Sequence, residues 1–106
     1  MSNGNKVWGR RLKEIRTEME LSQKQLGIQA GLDPFVASTR INRYELGVHK
    51  ADYKIAQRLA EILRIPAAYF YTEDDHLAEI MLIYHRANQK KKNELLKAAR
   101  KLTEVG

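Results

Sequence analysis

The chain has 106 residues and no cysteine, and its 19 lysine plus arginine against 13 aspartate plus glutamate give a formal net charge of +6. That length allows one domain with a modest core, and the missing cysteines exclude a disulfide framework and a thiolate metal site, as in a reducing cytosol. The basic excess points to a polyanionic partner, and it is uneven: residues 1–50 carry nine basic and five acidic residues, or +4, and residues 51–106 carry ten and eight, or +2.

The opening MSNGNKVWGRR has no apolar stretch long enough for a signal peptide, and the apolar-rich segment Leu77–Tyr84 is far too short to span a bilayer. The expectation is a soluble cytoplasmic protein. Strand signals are nearly absent, so the predicted fold class is all-α.

In chain order, Trp8, Leu12, Ile15 and Met19 follow helical spacing and predict a first helix with those residues inward. Ser22 can cap a short second helix whose inner face is Leu26 and Ala30, stopped at Gly31. Asp33-Pro34 reads as an N-cap followed by proline at the first helical position. The helix it predicts runs over about 34–46, with Ala37, Ile41 and Tyr44 inward, and ends at Gly47. Asp52 can cap a fourth helix with Ile55, Leu59, Ile62 and Leu63 on one face, and Pro66 starts a short fifth turn carrying Tyr69 and Phe70.

After Thr72, Glu73-Asp74-Asp75 is an acidic helix start, favoured by the macrodipole. Leu77, Ile80, Met81, Leu82, Ile83 and Tyr84 then cover most of a helix circumference, more than so small a chain can bury by itself. A last helix, capped by Asn88, carries Leu95, Ala99 and Leu102 in a stripe with Leu96 beside it. Residues 1–72 therefore read as one domain and 73–106 as a helical extension that dimerises through Leu77, Ile80, Met81, Tyr84, Leu95, Ala99 and Leu102.

The informative segment is Leu21-Ser22-Gln23-Lys24-Gln25-Leu26-Gly27-Ile28-Gln29-Ala30-Gly31. A capped short helix, a glycine turn and a second helix make a helix-turn-helix arrangement. Small Gly27 and Ala30 let the two helices pack closely.

LSQKQLGIQAGL followed by RINRYELG resembles the lambda-repressor/Cro-like (Xre-type) helix-turn-helix family, over roughly Val7 to Tyr71. The resemblance rests on the Leu-Ser-Gln opening, the Ala-Gly turn, the ending formed by Ile41, Glu45 and Gly47, and the Leu-Ala-Glu-Ile-Leu run leading to Ile65-Pro66. It implies a five-helix, lambda-repressor-like DNA-binding domain and a transcriptional regulator, a repressor, acting on a two-fold symmetric operator as a homodimer beside the nucleoid. An antitoxin or restriction-control autoregulator is the alternative within DNA binding, and a protein-interaction adaptor without DNA readout is the alternative outside it.

By the same resemblance, Ser22 and Gln23 meet a backbone phosphate, Ser38, Thr39, Asn42 and Arg43 face the groove of double-stranded DNA, and His49 and Lys50 touch the backbone beyond the recognition helix. Arg16 and Glu45 sit where the family pairs two charges structurally. About four residues more than the usual pattern lie within Leu32 to Ala37, roughly one helical turn. Either the recognition helix starts a turn early, at Pro34, or the turn is a longer loop; the Asp33-Pro34 cap favours the longer helix, with Phe35 then projecting toward DNA or packing against the protein.

Other residues carry bland readings. Arg10, Arg11 and Lys13 either approach phosphate or form a solvated helix face, and Lys90 to Lys92 either aid DNA binding or form a solvated helix start, the second being favoured. Asp74, Asp75, His76 and His85 do not read as a metal site, because the acids suit a helix start and the two histidines lie nine apart. No nucleophile–base–acid set and no phosphate-cradling glycine loop can be assembled, so neither an enzyme nor a cofactor is expected.

Overall fold

The computed structural model describes residues 3–104, as six α-helices and one short 3-10 helix, with no strand among the described residues. In chain order these are α1 (Asn3–Glu18), α2 (Gln23–Gln29), α3 (Ala37–Glu45), α4 (Tyr53–Leu63), a 3-10 helix (Ala67–Tyr71), α5 (Asp75–Arg86) and α6 (Gln89–Glu104).

Helix α1 buries Trp8, Leu12 and Ile15 on one stripe. Met19, expected on that stripe, is exposed: the helix ends at Glu18, and Glu20 adopts a left-handed backbone with φ 57°. The ring of Trp8 stacks on Phe70 with centroids 4.4 Å apart and meets Tyr44 edge-on at 6.0 Å. Those two contacts bind the first helix to α3 and to the 3-10 helix around one apolar core.

Local chemistry sets the ends of α2. The Gln25 amide donates to Ser22 Oγ at 2.9 Å, and the Ser22 amide donates to Gln25 Oε1 at 2.8 Å, a reciprocal capping box. Gly31, at φ 89°, turns the chain after α2. Gly27 meets α3 at close range; a Cβ there would lie 2.7 Å from the Ala37 Cβ.

The recognition helix does not begin at Pro34. It runs over Ala37–Glu45, and residues 34–36 form a turn. Asp33 is a cap of another kind: its Oδ1 accepts the Phe35 amide at 2.8 Å, and its carbonyl accepts the Val36 amide at 3.0 Å. That is an Asx turn, which folds the backbone back over two residues instead of starting an α-helix. The additional residues are thus a tight loop between α2 and α3. Ala37, Ile41 and Tyr44 face inward, as spacing predicts.

Asp52 caps α4 through the Ile55 amide at 2.8 Å, and Ile55, Leu59 and Leu63 are buried while Ile62 is half-buried. Tyr69 and Phe70 complete the core. Asp74 then caps α5, accepting from the His76 and Leu77 amides.

Two arginines fix α5 to this bundle. Arg11, only 3% exposed, donates to the carbonyls of Thr72 and Glu73 at 2.9 and 3.1 Å and to Asp75 Oδ1 at 2.8 Å. It is neither a phosphate ligand nor a solvated residue, and Arg10 also reaches Glu14 and Asp75. At the far end Arg86 donates to the carbonyls of Leu63 and Arg64 at 3.1 and 3.0 Å, where a cation suits the C-terminus of α4. Asn88 caps α6 through the Lys91 amide at 2.9 Å. Helix α6 packs along α5 and buries none of its own residues.

Candidate nucleic-acid interface

The turn between α2 and α3 brings two polar helix surfaces together. Ser38, Thr39, Asn42 and Arg43 are all exposed along α3, opposite the face that buries Ala37, Ile41 and Tyr44. A row of hydroxyl, amide and guanidinium groups on one helix face can match the donor and acceptor edges of base pairs. Ser22 is exposed at the start of α2, and Gln23 beside it is half-buried.

A charge network sets the angle between these helices. Arg16 grips the Glu45 carboxylate with Nε and with Nη2, the latter at 3.1 Å, and its Nη1 donates to the Leu21 carbonyl at 2.9 Å. The two side chains are 11% and 4% exposed. A bidentate pair in that setting fixes orientation as well as distance. Gln23 Nε2 donates to Glu45 Oε1 at 3.0 Å and to Asn42 Oδ1 at 3.1 Å. One network therefore joins the end of α1, the start of α2 and the C-terminal half of α3. It also orients Asn42, whose amide NH2 group remains available on the exposed face.

Beyond α3, the amides of Val48 and His49 both return to the Arg43 carbonyl, at 3.1 and 3.3 Å, so the loop carrying His49 and Lys50 folds against the helix end. Both side chains are exposed. They line a 190 Å³ pocket with Gly4, Asn5, Trp8, Ala51 and Tyr71. That is smaller than the usual site for a small organic ligand.

One feature of this surface escapes the sequence pattern, and Phe35 settles an alternative that the sequence leaves open. Arg40 stacks over the Tyr44 ring at 5.7 Å and donates to its hydroxyl at 2.8 Å, which holds a half-buried cation beside the exposed row. Phe35 stands on the loop before α3 with 97% of its surface exposed. Among the described residues, no three histidine, aspartate or glutamate side chains gather closely enough to hold a metal ion, and no helix is long and apolar enough to cross a membrane.

A capped short helix, a glycine turn and a second helix with a polar outer face define a helix-turn-helix protein of the kind that places its second helix in the major groove. Residues 12–70 match the family model described as Helix-turn-helix. The chain belongs to that family, in its Xre, lambda-repressor-like branch, and is a DNA-binding transcription regulator. A solved structure described as transcriptional regulator BswR is similar to it, with 38% identity, a TM-score of 0.87, and coverage of 92% of this chain and 96% of that one. No curated protein sequence matches the chain.

Proposed function

We propose that the protein is a sequence-specific repressor that binds a two-fold symmetric operator as a homodimer, with α3 in the major groove. The observation that carries this reading is the exposed row Ser38, Thr39, Asn42 and Arg43 on a helix held by the Arg16–Glu45–Gln23 network. Arg43 suits a bidentate contact to guanine, and Asn42 suits adenine. Ser22, His49 and Lys50 lie where they can meet backbone phosphates on either side of that helix. Gln23 can join them by exchanging one of its two present hydrogen bonds.

In this reading residues 1–72 are the DNA-binding domain and residues 73–106 the dimerisation extension. Helix α5 leaves Leu77, Ile80, Ile83 and Tyr84 exposed at 43–60%, and α6 leaves Leu95 and Leu96 at about 40%. Between the two helices runs an almost wholly apolar groove of 480 Å³, reaching Leu102. A 16-residue helix that buries none of its own residues has little to hold it in water, because isolated helices of that length are marginal. A second copy of the same hairpin fits, since a symmetric operator requires two recognition helices about 34–36 Å apart. Repression requires only that such a dimer occupy its site.

In-vitro selection from random duplex DNA tests the reading. A palindromic consensus is the expected result, and Arg43→Ala should relax one position per half-site at a cost of about 1–3 kcal/mol. The double variant Ile83→Glu, Leu95→Glu should sediment as a monomer and select only a half-site. Failure of the parent protein to enrich any sequence, or a monomer at high micromolar concentration, would overturn the proposal. The first outcome would favour an adaptor role.

A further inference from the structure

We propose that Phe35 is a base-reading side chain that contacts the 5-methyl group of a thymine next to the bases met by the N-terminal end of α3. This rests on the DNA-binding reading and extends it to the loop that distinguishes this chain from the usual pattern of its family.

Phe35 is 97% exposed, more than any other large apolar side chain among the described residues. It is not on a loose segment. The two hydrogen bonds to Asp33 close the turn on either side of it, from the Phe35 amide at 2.8 Å and from the Val36 amide at 3.0 Å. Leu32, 9% exposed, anchors the loop in the core, and the Arg40 amide bonds back to the Val36 carbonyl at 2.8 Å, joining the turn to the first turn of α3. The loop fixes the backbone from which the exposed ring projects.

That backbone lies at the leading edge of the recognition surface. Phe35 stands two residues before Ala37, the first residue of α3, in the turn that leads into the helix end carrying Ser38 and Thr39. A recognition helix enters the groove with its N-terminal residues closest to the bases. The major groove offers one apolar group to such a side chain, the thymine methyl. Apolar wedges between base steps work from the minor groove, which α3 does not enter. A fully solvated phenyl ring gains by covering that methyl, because both lose apolar surface to water.

The test compares consensus sequences selected by the parent protein and by Phe35→Ala, followed by binding to the parent's selected duplex with each thymine replaced in turn by deoxyuridine, which lacks only the methyl group. One thymine per half-site should drop out of the Phe35→Ala consensus. Parent affinity should fall roughly fivefold to tenfold when that thymine alone is replaced, whereas Phe35→Ala should bind both duplexes equally. Phe35→Leu should retain the preference. Thermal melting of Phe35→Ala should match the parent, since the ring contributes almost nothing to the core. A consensus and affinity unchanged in Phe35→Ala, or a parent indifferent to every deoxyuridine, overturns this assignment and leaves the DNA-binding reading intact. A parent that enriches no sequence overturns both.

Discussion

The bundle up to the 3-10 helix and the α5–α6 hairpin solve the same problem differently. Every buried apolar side chain but one lies at or before Phe70; the exception is Ala78 on α5. The bundle completes its core within the chain and turns a polar row outward. The hairpin leaves Ile80, Ile83, Leu95 and Leu96 exposed and is held to the bundle by Ala78, Met81 and Leu82 on the core and by two arginines, Arg11 and Arg86, bonded to main-chain carbonyls. An exposed apolar face of this extent is the kind that marks an interaction surface. On the proposed reading the bundle folds as one unit, while the hairpin gains stability from the second copy that covers it.

The largest expected effect breaks the packed side of this comparison. Gly9 lies where α1 meets the end of α3, and a Cβ there would come 2.6 Å from the Tyr44 carbonyl oxygen and closer still to that of Glu45. Backbone on both sides leaves no flexible side chain to yield. Gly9→Ala should cost about 3 kcal/mol or more, as overpacking of a tight contact does. The melting temperature should fall on the order of 10–20 °C, measured by circular dichroism. DNA binding should be lost with it, since the α1–α3 contact also aligns Arg16 with Glu45. A variant that melts like the parent would show the two helices free to separate.

A smaller effect separates the two regions. Arg11→Met keeps the stem of the side chain but removes the donors to Thr72, Glu73 and Asp75. The carbonyls lose their partner, while Asp75, whose side chain is 73% exposed, returns to water. The cost should be about 2 kcal/mol, less than for a fully buried pair. Amides of α5 should exchange with deuterium faster than those of α1 to α4. Uniform acceleration across all helices would mean that the hairpin and the bundle are one cooperative unit.

The part of this architecture legible in the sequence is the part set locally. Ser22, Asp52 and Asn88 cap helices because the cap bond spans three residues. Asp33 shows the limit of that reasoning: the same carboxylate that caps a helix also makes an Asx turn, and only the packing of Leu32 and Ala37 decides between them. Arg11 was legible as a charge but not as a buried one, since its partners lie more than sixty residues away. The Arg16–Glu45 pair spans 29 residues and came from the family resemblance, not from periodicity. The excess of apolar residues in Leu77–Tyr84 was visible in the sequence, whereas the division of that helix into a docked side with Ala78 and an open side with Ile80 and Ile83 required the fold.

The smallest predicted effect lies on the hairpin alone, and acid should reveal it in two steps. Partial burial, followed by the positive charges of Lys92, Arg86 and Arg64, holds His85 below its ordinary value of 6.5. An unfolded chain therefore takes up that proton before the folded one does. The His85 contribution to stability is complete above 6.5 and is lost as pH falls from there through the folded value, with no further change below it. Hydrogen bonds from Arg11 and then from Arg10 hold Asp75 below its ordinary 3.8, so its contribution is present above 3.8 and disappears only in stronger acid. Mild acid should thus loosen α5 and α6 before it affects the α1–α4 bundle, and by less than Arg11→Met does. An NMR titration of the histidines reads the first step directly: His85 should titrate below 6.5, and Lys92→Gln should move it upward by removing the strongest of the three neighbouring charges. An imidazole that titrates at or above 6.5 would mean that partial burial and the neighbouring cations do not act on His85 as the packing of α5 requires.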